Sequence, residues 1–140
     1  MPGKIFISCG QDNSTEVWIA NKVSDWLKTK GFEPYIAIET QSIQDVNSGI
    51  IGNLKLADYY IFIDFRRETI SRFPREFRGS LFTNQELAIA YTLGFDEVIF
   101  IQQSGIKLEG ISKYLLSNAI KFNKSDEILN IIQDQVVATL

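Results

Sequence analysis

Short apolar runs alternate with amphipathic segments along the whole chain, and this alternation restricts the fold more than any other feature of the sequence. The apolar runs are typical of buried strands, and the segments between them repeat apolar residues at helical spacing. Such alternation gives a mostly parallel sheet with helices on both faces. Five strands are predicted: Lys4–Ser8, Phe32–Ile38, Asp58–Phe65, Glu97–Gln102 and Ala119–Phe122.

Five such strands favour the flavodoxin-like strand order 2-1-3-4-5, because right-handed crossovers exclude most other topologies. We therefore expect a three-layer α/β sandwich with a five-stranded, mostly parallel sheet and helices on both faces. Residues 1–140 match the length of one domain. The last predicted helix runs to Leu140 without a stop signal, so the domain either ends there or is continued by a longer chain.

The chain contains no histidine and one cysteine, and this excludes several kinds of catalytic site. A Ser-His-Asp triad and a Cys-His dyad are impossible, and too few ligands remain for a zinc site. We expect no metal and no cofactor, so any catalysis relies on carboxylates, hydroxyls, Lys, Arg, Tyr or backbone groups. One cysteine and no recognisable signal peptide favour a reducing, cytoplasmic compartment.

Net charge and hydropathy argue against two classes of partner. The formal net charge is −3, whereas nucleic-acid-binding domains usually carry a strong basic excess. No apolar run approaches the ~20 residues that a membrane-spanning helix needs. We therefore expect neither nucleic acid nor a membrane as partner.

Ligands of an open doubly wound sheet bind beyond the carboxyl ends of the strands, where the strand order reverses. Three predicted loops meet there: Cys9–Ser14, Glu39–Gln44 and Arg66–Phe82. The third is long for an α/β connection, and five of the 14 basic residues lie in it: Arg66, Arg67, Arg72, Arg75 and Arg78. Arginine suits phosphate, so the loop is either an anion-binding element or a solvated surface balanced by its own glutamates.

Glu86 follows this loop, near the start of the predicted third helix, Thr83–Leu93, and two interpretations of it stay open. In one, Thr83 and Glu86 form a capping box, in which the Glu side chain bonds the N-cap amide. In the other, the carboxylate is aimed at the crevice and does chemistry. Cys9 is likewise either a reactive thiol or an inert small residue, and Gly10 permits close backbone approach to a ligand.

Two segments resemble a known family. Ile5–Ser8, followed by a polar turn with Asp12, resembles the first box of Toll/interleukin-1 receptor (TIR) domains. Arg78–Ala90, with Glu86 on the third helix, is most similar to bacterial TIR-like domains. The resemblance covers residues 4–138.

The resemblance implies an NAD glycohydrolase or cyclase that cleaves the nicotinamide–ribose bond, giving nicotinamide with ADP-ribose or a cyclic isomer. It implies that Glu86 is the catalytic residue and that NAD is a substrate rather than a cofactor. It also implies anti-phage defence signalling, self-association into oligomers, and a fused or separate sensor or effector domain as partner. An oxocarbenium-like transition state at the ribose is one that a carboxylate can stabilise without a metal.

Substrate contacts are expected from three parts of the chain. The resemblance implies ribose and phosphate contacts from the first-box turn and from the loop after the second strand, and the arginine-rich loop and the start of the third helix add more. The predicted substrate-binding residues are Ser8, Cys9, Gly10, Gln11, Glu39, Thr40, Ser42, Arg66, Arg78, Ser80 and Phe82.

Two other functions stay open. One is a non-enzymatic TIR-type interaction or sensing module, in which Glu86 is only a capping residue and Arg66–Arg78 is a docking surface. The other is a nucleoside deoxyribosyltransferase-like enzyme, which shares the fold type and a Glu nucleophile. Incubation with NAD and with deoxynucleosides, measuring released base, separates the three.

Overall fold

A five-stranded parallel sheet lies at the centre of the computed structural model, which describes residues 2–37, 46–110 and 112–140. The strands in these segments are β1 (Lys4–Cys9), β2 (Glu33–Ile36), β3 (Tyr59–Asp64), β4 (Thr69–Arg72), β5 (Arg75–Phe77), β6 (Val98–Gln103) and β7 (Ile120–Phe122). The parallel sheet has the order β2-β1-β3-β6-β7, and β4 and β5 form a separate antiparallel hairpin. The predicted order 2-1-3-4-5 is therefore confirmed.

Helices cover both faces of this sheet. They are α1 (Ser14–Thr29), α2 (Gly52–Leu56), α3 (Leu81–Leu93), α4 (Ser112–Leu115) and α5 (Ile128–Thr139), with a π-helical segment at Val46–Ile51 and a 3₁₀ turn at Ser125–Glu127. Helices α1 and α5 pack on one face, and α2 and α3 pack on the other. The predicted three-layer sandwich is confirmed. Among the helices of the described segments, none combines the length and apolarity needed to cross a bilayer.

The helix ends follow the sequence signals. Asn13 caps α1, its side chain accepting a hydrogen bond from the Glu16 amide at 3.0 Å. Gly31 and Gly94 follow α1 and α3 with φ of 89° and 73°, a left-handed conformation that glycine adopts without steric cost. These stops position the next strands, β2 and β6.

The central strands β1 and β3 are buried on both faces. Ile5 and Ile7 point into the core under α1 and α5, whereas Phe6 points into the core under α3. On the α3 side each strand ends in a fully buried polar residue, Ser8 in β1 and Asp64 in β3. Polar groups therefore replace apolar ones where the sheet meets the start of α3.

Residues 66–80 contain the β4–β5 hairpin rather than the irregular loop expected from the sequence. Phe77 anchors it, buried beneath the guanidinium groups of Arg66 and Arg75 at 4.6 and 4.9 Å from its ring centre. The Phe77 amide also donates to the Gly105 carbonyl at 2.9 Å. The sequence does not predict these short strands, because the many charged residues of the segment interrupt the apolar pattern by which strands are recognised.

Asp64 anchors the start of α3. Its carboxylate accepts hydrogen bonds from the Ser80 amide at 2.8 Å and from the Asn84 side chain at 3.1 Å, and a negative charge is favourable at a helix N-terminus. Ser80 is the N-cap, its hydroxyl accepting from the Thr83 amide at 3.2 Å. A Cβ atom on Gly79 would overlap the Asp64 carboxylate, so only glycine lets the chain pass this closely.

We expect Gly79→Ala to lower the free energy of unfolding by about 1–3 kcal/mol, because the new methyl group must displace Asp64 or the α3 N-terminus. Urea denaturation followed by circular dichroism measures this. Leu81→Ala is the matched control, since that side chain is 71% exposed, and it should have little effect. Equal stability of Gly79→Ala and the wild type would show that Asp64 does not hold this helix end.

Candidate active site

A cleft of about 270 Å³ lies where the carboxyl end of β1 faces the start of α3. This is the crevice at which the strand order reverses, where ligands of such sheets bind. We call it the first cleft. Its lining residues are Cys9, Gly10, Gln11, Asp12, Arg67, Ser80, Phe82 and Thr83.

An ion pair fixes one wall of the first cleft. Arg67 binds Glu16 through two parallel hydrogen bonds, Nη2 to Oε1 at 2.7 Å and Nη1 to Oε2 at 2.8 Å. Glu16 also accepts from the Asp12 amide at 3.1 Å, which ties the turn after β1 to this pair. Gly10 leaves room for this ion pair, because a Cβ atom would come within 2.5 Å of Arg67 and 2.8 Å of Glu16 and would displace their side chains. The close approach at Gly10 is thus to this ion pair.

The other residues of the turn are structural in character. The Gln11 side chain donates to the Ala37 carbonyl, which joins the turn to the chain following β2. The Cys9 thiol is buried and donates to the Gly10 carbonyl at 3.4 Å. Burial also raises the pKa of Cys9, with the Glu16 charge adding to the shift, so the thiol stays protonated. Cys9 is therefore an inert small residue and not a reactive thiol.

Glu86 lies in the second turn of α3 and faces the sheet, 2% exposed. The capping-box interpretation is wrong, because α3 begins at Leu81 and Ser80 caps it. Within the described part of the chain, neither Glu86 oxygen has a hydrogen-bond partner. Burial raises the pKa of Glu86 to about 8, and the neighbouring Ser8 hydroxyl opposes part of that shift.

A buried hydroxyl pair adjoins this carboxyl group. Tyr60 donates to the Ser8 oxygen at 2.9 Å, and burial raises the pKa of Tyr60, so the phenol keeps its proton. Because Ser8 accepts from Tyr60, its own proton is free to turn toward Glu86. The Ser8 hydroxyl lies close enough to favour ionised Glu86 but outside hydrogen-bonding geometry for either oxygen.

A second cleft, of about 220 Å³, lies on the other side of Ser80, with Asp64 at its base. Burial raises the pKa of Asp64, and hydrogen bonds from the Ser80 amide, Asn84 and Gln102 oppose that shift. The Asp64 carboxylate thus binds both the start of α3, through Ser80 and Asn84, and β6, through Gln102. Arg78 at the rim pairs with Glu68 at 3.0 Å, and both side chains are more than half exposed.

The structure brings together most of the predicted site residues, but not all of them. Around the first cleft and Glu86 lie Ser8, Cys9, Gly10, Gln11, Ser80 and Phe82. Arg78 lines the second cleft. Arg66 lines neither, since its guanidinium stacks on Phe77 and its Nε donates to the Ser104 carbonyl. Glu39, Thr40 and Ser42 lie outside the described residues.

Three residues near the site were not selected from the sequence. Arg67 belongs to the arginine-rich segment, but nothing in the pattern separates it from its neighbours. Tyr60 lies inside a predicted buried strand, where an aromatic residue is expected to pack in the hydrophobic core. Asp64 carried a usable signal, since a carboxylate at the end of a fully apolar strand marks the ligand edge of such sheets.

The raised pKa of Glu86 makes stability depend on pH. Between pH 4.5 and about 8 the folded chain keeps a proton that the unfolded chain releases, so the free energy of unfolding falls as pH rises. Glu86→Gln removes this dependence and should become more stable than the wild type by a few kcal/mol near pH 9. Thermal unfolding from pH 5 to 9 measures it. Glu33→Gln removes a carboxylate at an exposed position and controls for the loss of one negative charge. If the melting temperatures of Glu86→Gln and the wild type changed with pH in parallel, burial would not raise the pKa of Glu86.

Solved structures that share this fold include two enzymes. The CMP N-glycosidase BcmB of Clostridium botulinum superposes with a TM-score of 0.64 and 17% identity, over 93% of this chain and 98% of that one. A 2-deoxyribosyltransferase of Bacillus psychrosaccharolyticus superposes with a TM-score of 0.54 and 16% identity, over 91% and 90%. No protein-family model matches the chain, and no curated protein matches it in sequence.

These comparisons correct the TIR resemblance. The structural neighbours are a nucleotide N-glycosidase and a deoxyribosyltransferase, and no TIR model matches, so the assignment to TIR domains and to their NAD-cleaving class is wrong. The self-association and defence role that rested on it lose their basis. At these identities the likeness establishes the α/β fold alone.

Proposed function

We propose that this protein is an enzyme that cleaves the N-glycosidic bond of a nucleoside or nucleotide, with Glu86 as its catalytic carboxylate. The observation that carries the proposal is the buried Glu86 carboxyl, which has no hydrogen-bond partner among the described residues and lies one helical turn from Thr83 in the wall of the first cleft. The two neighbours support it, since one is a CMP N-glycosidase and the other a 2-deoxyribosyltransferase. The histidine-free composition is compatible, because this chemistry needs only a carboxylate.

The proposed reaction breaks the bond between the sugar C1′ and a base nitrogen, and the electron pair leaves with the base. Positive charge then develops at C1′ and the ring oxygen, as in other glycoside cleavages. Ionised Glu86 stabilises that charge, and its effect is large because the surroundings exclude water. A water molecule or a second base completes the step by bonding C1′. The proton that the attacking water or the attacking ring N–H loses passes to the departing base.

The charges around the first cleft favour an uncharged sugar and base over a phosphate in that cleft. Arg67 is already paired with Glu16, and the Asp12 carboxyl group lines the same cleft. The second cleft, by contrast, is lined by two basic side chains, Arg78 and Lys107. Arg78 pairs with Glu68, but both side chains are more than half exposed. A 5′-phosphate therefore has to reach the second cleft to find a positive partner.

Released base is the direct assay of this function. The wild type should release base from at least one of a panel of ribonucleosides, 2′-deoxynucleosides and their 5′-monophosphates, measured by liquid chromatography. Glu86→Gln should lose about 10²–10³-fold or more of that rate while remaining folded. Gln85→Ala, at the exposed position beside it, should keep the wild-type rate. Full activity of Glu86→Gln would contradict the assignment. NAD is incubated alongside the panel, and release of nicotinamide from NAD with no base released from any panel member would contradict the substrate class.

The pH dependence tests which form of Glu86 acts. If the ionised carboxylate is needed, kcat/KM rises with pH and levels off above about 8. The Ser8 hydroxyl lowers the pKa of Glu86, so Ser8→Ala should move the rising limb to higher pH, and Ser8→Thr, which keeps a hydroxyl, should restore it. A kcat/KM that falls as pH rises toward 8 would exclude catalysis by ionised Glu86. So would a rising limb that stays at the same pH in Ser8→Ala.

A further inference from the structure

Orphaned polar atoms concentrate on one face of α3. In the described part of the chain, the buried side-chain oxygens that lack a hydrogen-bond partner are Thr83 Oγ1 and both carboxyl oxygens of Glu86. Thr83 is 1% exposed and Glu86 is 2% exposed. Residues three apart lie on the same helix face, about 5–6 Å apart at Cβ. Buried polar groups are nearly always paired, so three unpaired atoms side by side indicate a place for a ligand.

The Thr83 hydroxyl has no place in the local bonding of its helix. Thr83 is the third residue of α3, so the carbonyl four residues earlier is that of Gly79, before the Ser80 cap, whereas Thr92 later in the helix donates to the Ala88 carbonyl at 3.0 Å. The Thr83 backbone amide is already used by the Ser80 cap, but its hydroxyl makes no such bond. Thr83 also lines the first cleft. The Thr83 hydroxyl is therefore shielded from solvent and unpaired among the described residues, in the wall of the first cleft and one helical turn from Glu86.

We propose that Thr83 Oγ1 binds the 2′- or 3′-hydroxyl group of the substrate's sugar while Glu86 faces its C1′ atom, which makes Thr83 a specificity-determining residue. The inference rests on the proposed function. A threonine hydroxyl both donates and accepts, as a sugar hydroxyl does. The two protein groups are one helical turn apart, a spacing that suits neighbouring positions on one furanose ring. A phosphate at Thr83 is disfavoured, because Arg67 is already paired and the Asp12 carboxyl group shares the cleft.

Thr83→Val removes the hydroxyl and nearly keeps the shape, and Thr83→Ser keeps the hydroxyl. For each, kcat/KM of base release is measured with a ribonucleoside and with its 2′-deoxy and 3′-deoxy analogues. Thr83→Val should lose about 10- to 100-fold on every substrate that carries the recognised hydroxyl and nothing on the analogue that lacks it. Thr83→Ser should stay near wild type. The analogue that escapes the loss identifies the hydroxyl.

A second readout separates this role from a structural one. The Thr83 hydroxyl has no hydrogen-bond partner among the described residues. Without ligand, the melting temperature of Thr83→Val should therefore equal or exceed that of the wild type. A lowered melting temperature, or an equal loss on all three substrates, would overturn the inference. Wild-type rates for Thr83→Val on all three substrates would overturn it while leaving the proposed function intact. Absence of base release from every substrate by the wild type would instead overturn the proposed function, and this inference with it.

Discussion

The hydrogen bonds of the Asp64 carboxylate hold the candidate site together. Asp64 ends β3 with no exposure to solvent and accepts from the Ser80 amide, the Asn84 side chain and the Gln102 side chain. The bonds from Ser80 and Asn84 fix the first turn of α3 against the end of β3, and the bond from Gln102 joins Asp64 to β6. Gly79 lets the chain pass close to the Asp64 carboxylate. The direction of α3 follows from this contact, and with it the placement of Glu86 over the end of β1.

The fold thus places a carboxyl group where its environment favours the neutral form. Leu87 and Ala90 on the same helix are buried in the core, so Glu86 sits at the edge of an apolar layer. Among the described residues, the Ser8 hydroxyl, which accepts a hydrogen bond from Tyr60, acts in the opposite direction and lowers the pKa of Glu86. The buried carboxyl group lowers the free energy of unfolding as pH rises. Functional sites commonly contain groups that reduce stability in this way. The same exclusion of water strengthens the stabilisation that the carboxylate gives to a positive charge developing at C1′ of a substrate.

Much of the fold could be predicted from the sequence, because strand and helix periodicities are local signals and right-handed crossovers limit their arrangement. Glu86 could be found as a candidate, but Ser80 and Thr83 are both good caps, and only the structure shows where α3 begins. Contacts between distant segments, such as Arg67 with Glu16 and Asp64 with α3, leave no local pattern. The family assignment failed for a related reason: an apolar first strand and a Glu on the third helix are short features that a parallel α/β sheet can carry in more than one family.

The pKa of Glu86 is the central quantity of this account, and carbon-13 NMR of the side-chain carboxyl group measures it directly. The resonance is assigned by its loss in Glu86→Gln and followed from pH 4 to 10. Burial beside the cleft predicts a midpoint of about 8 that moves when a nucleoside substrate or its sugar product binds. A midpoint near the ordinary glutamate value of about 4.3, unchanged by any such ligand, would show that Glu86 is solvated and would contradict the account.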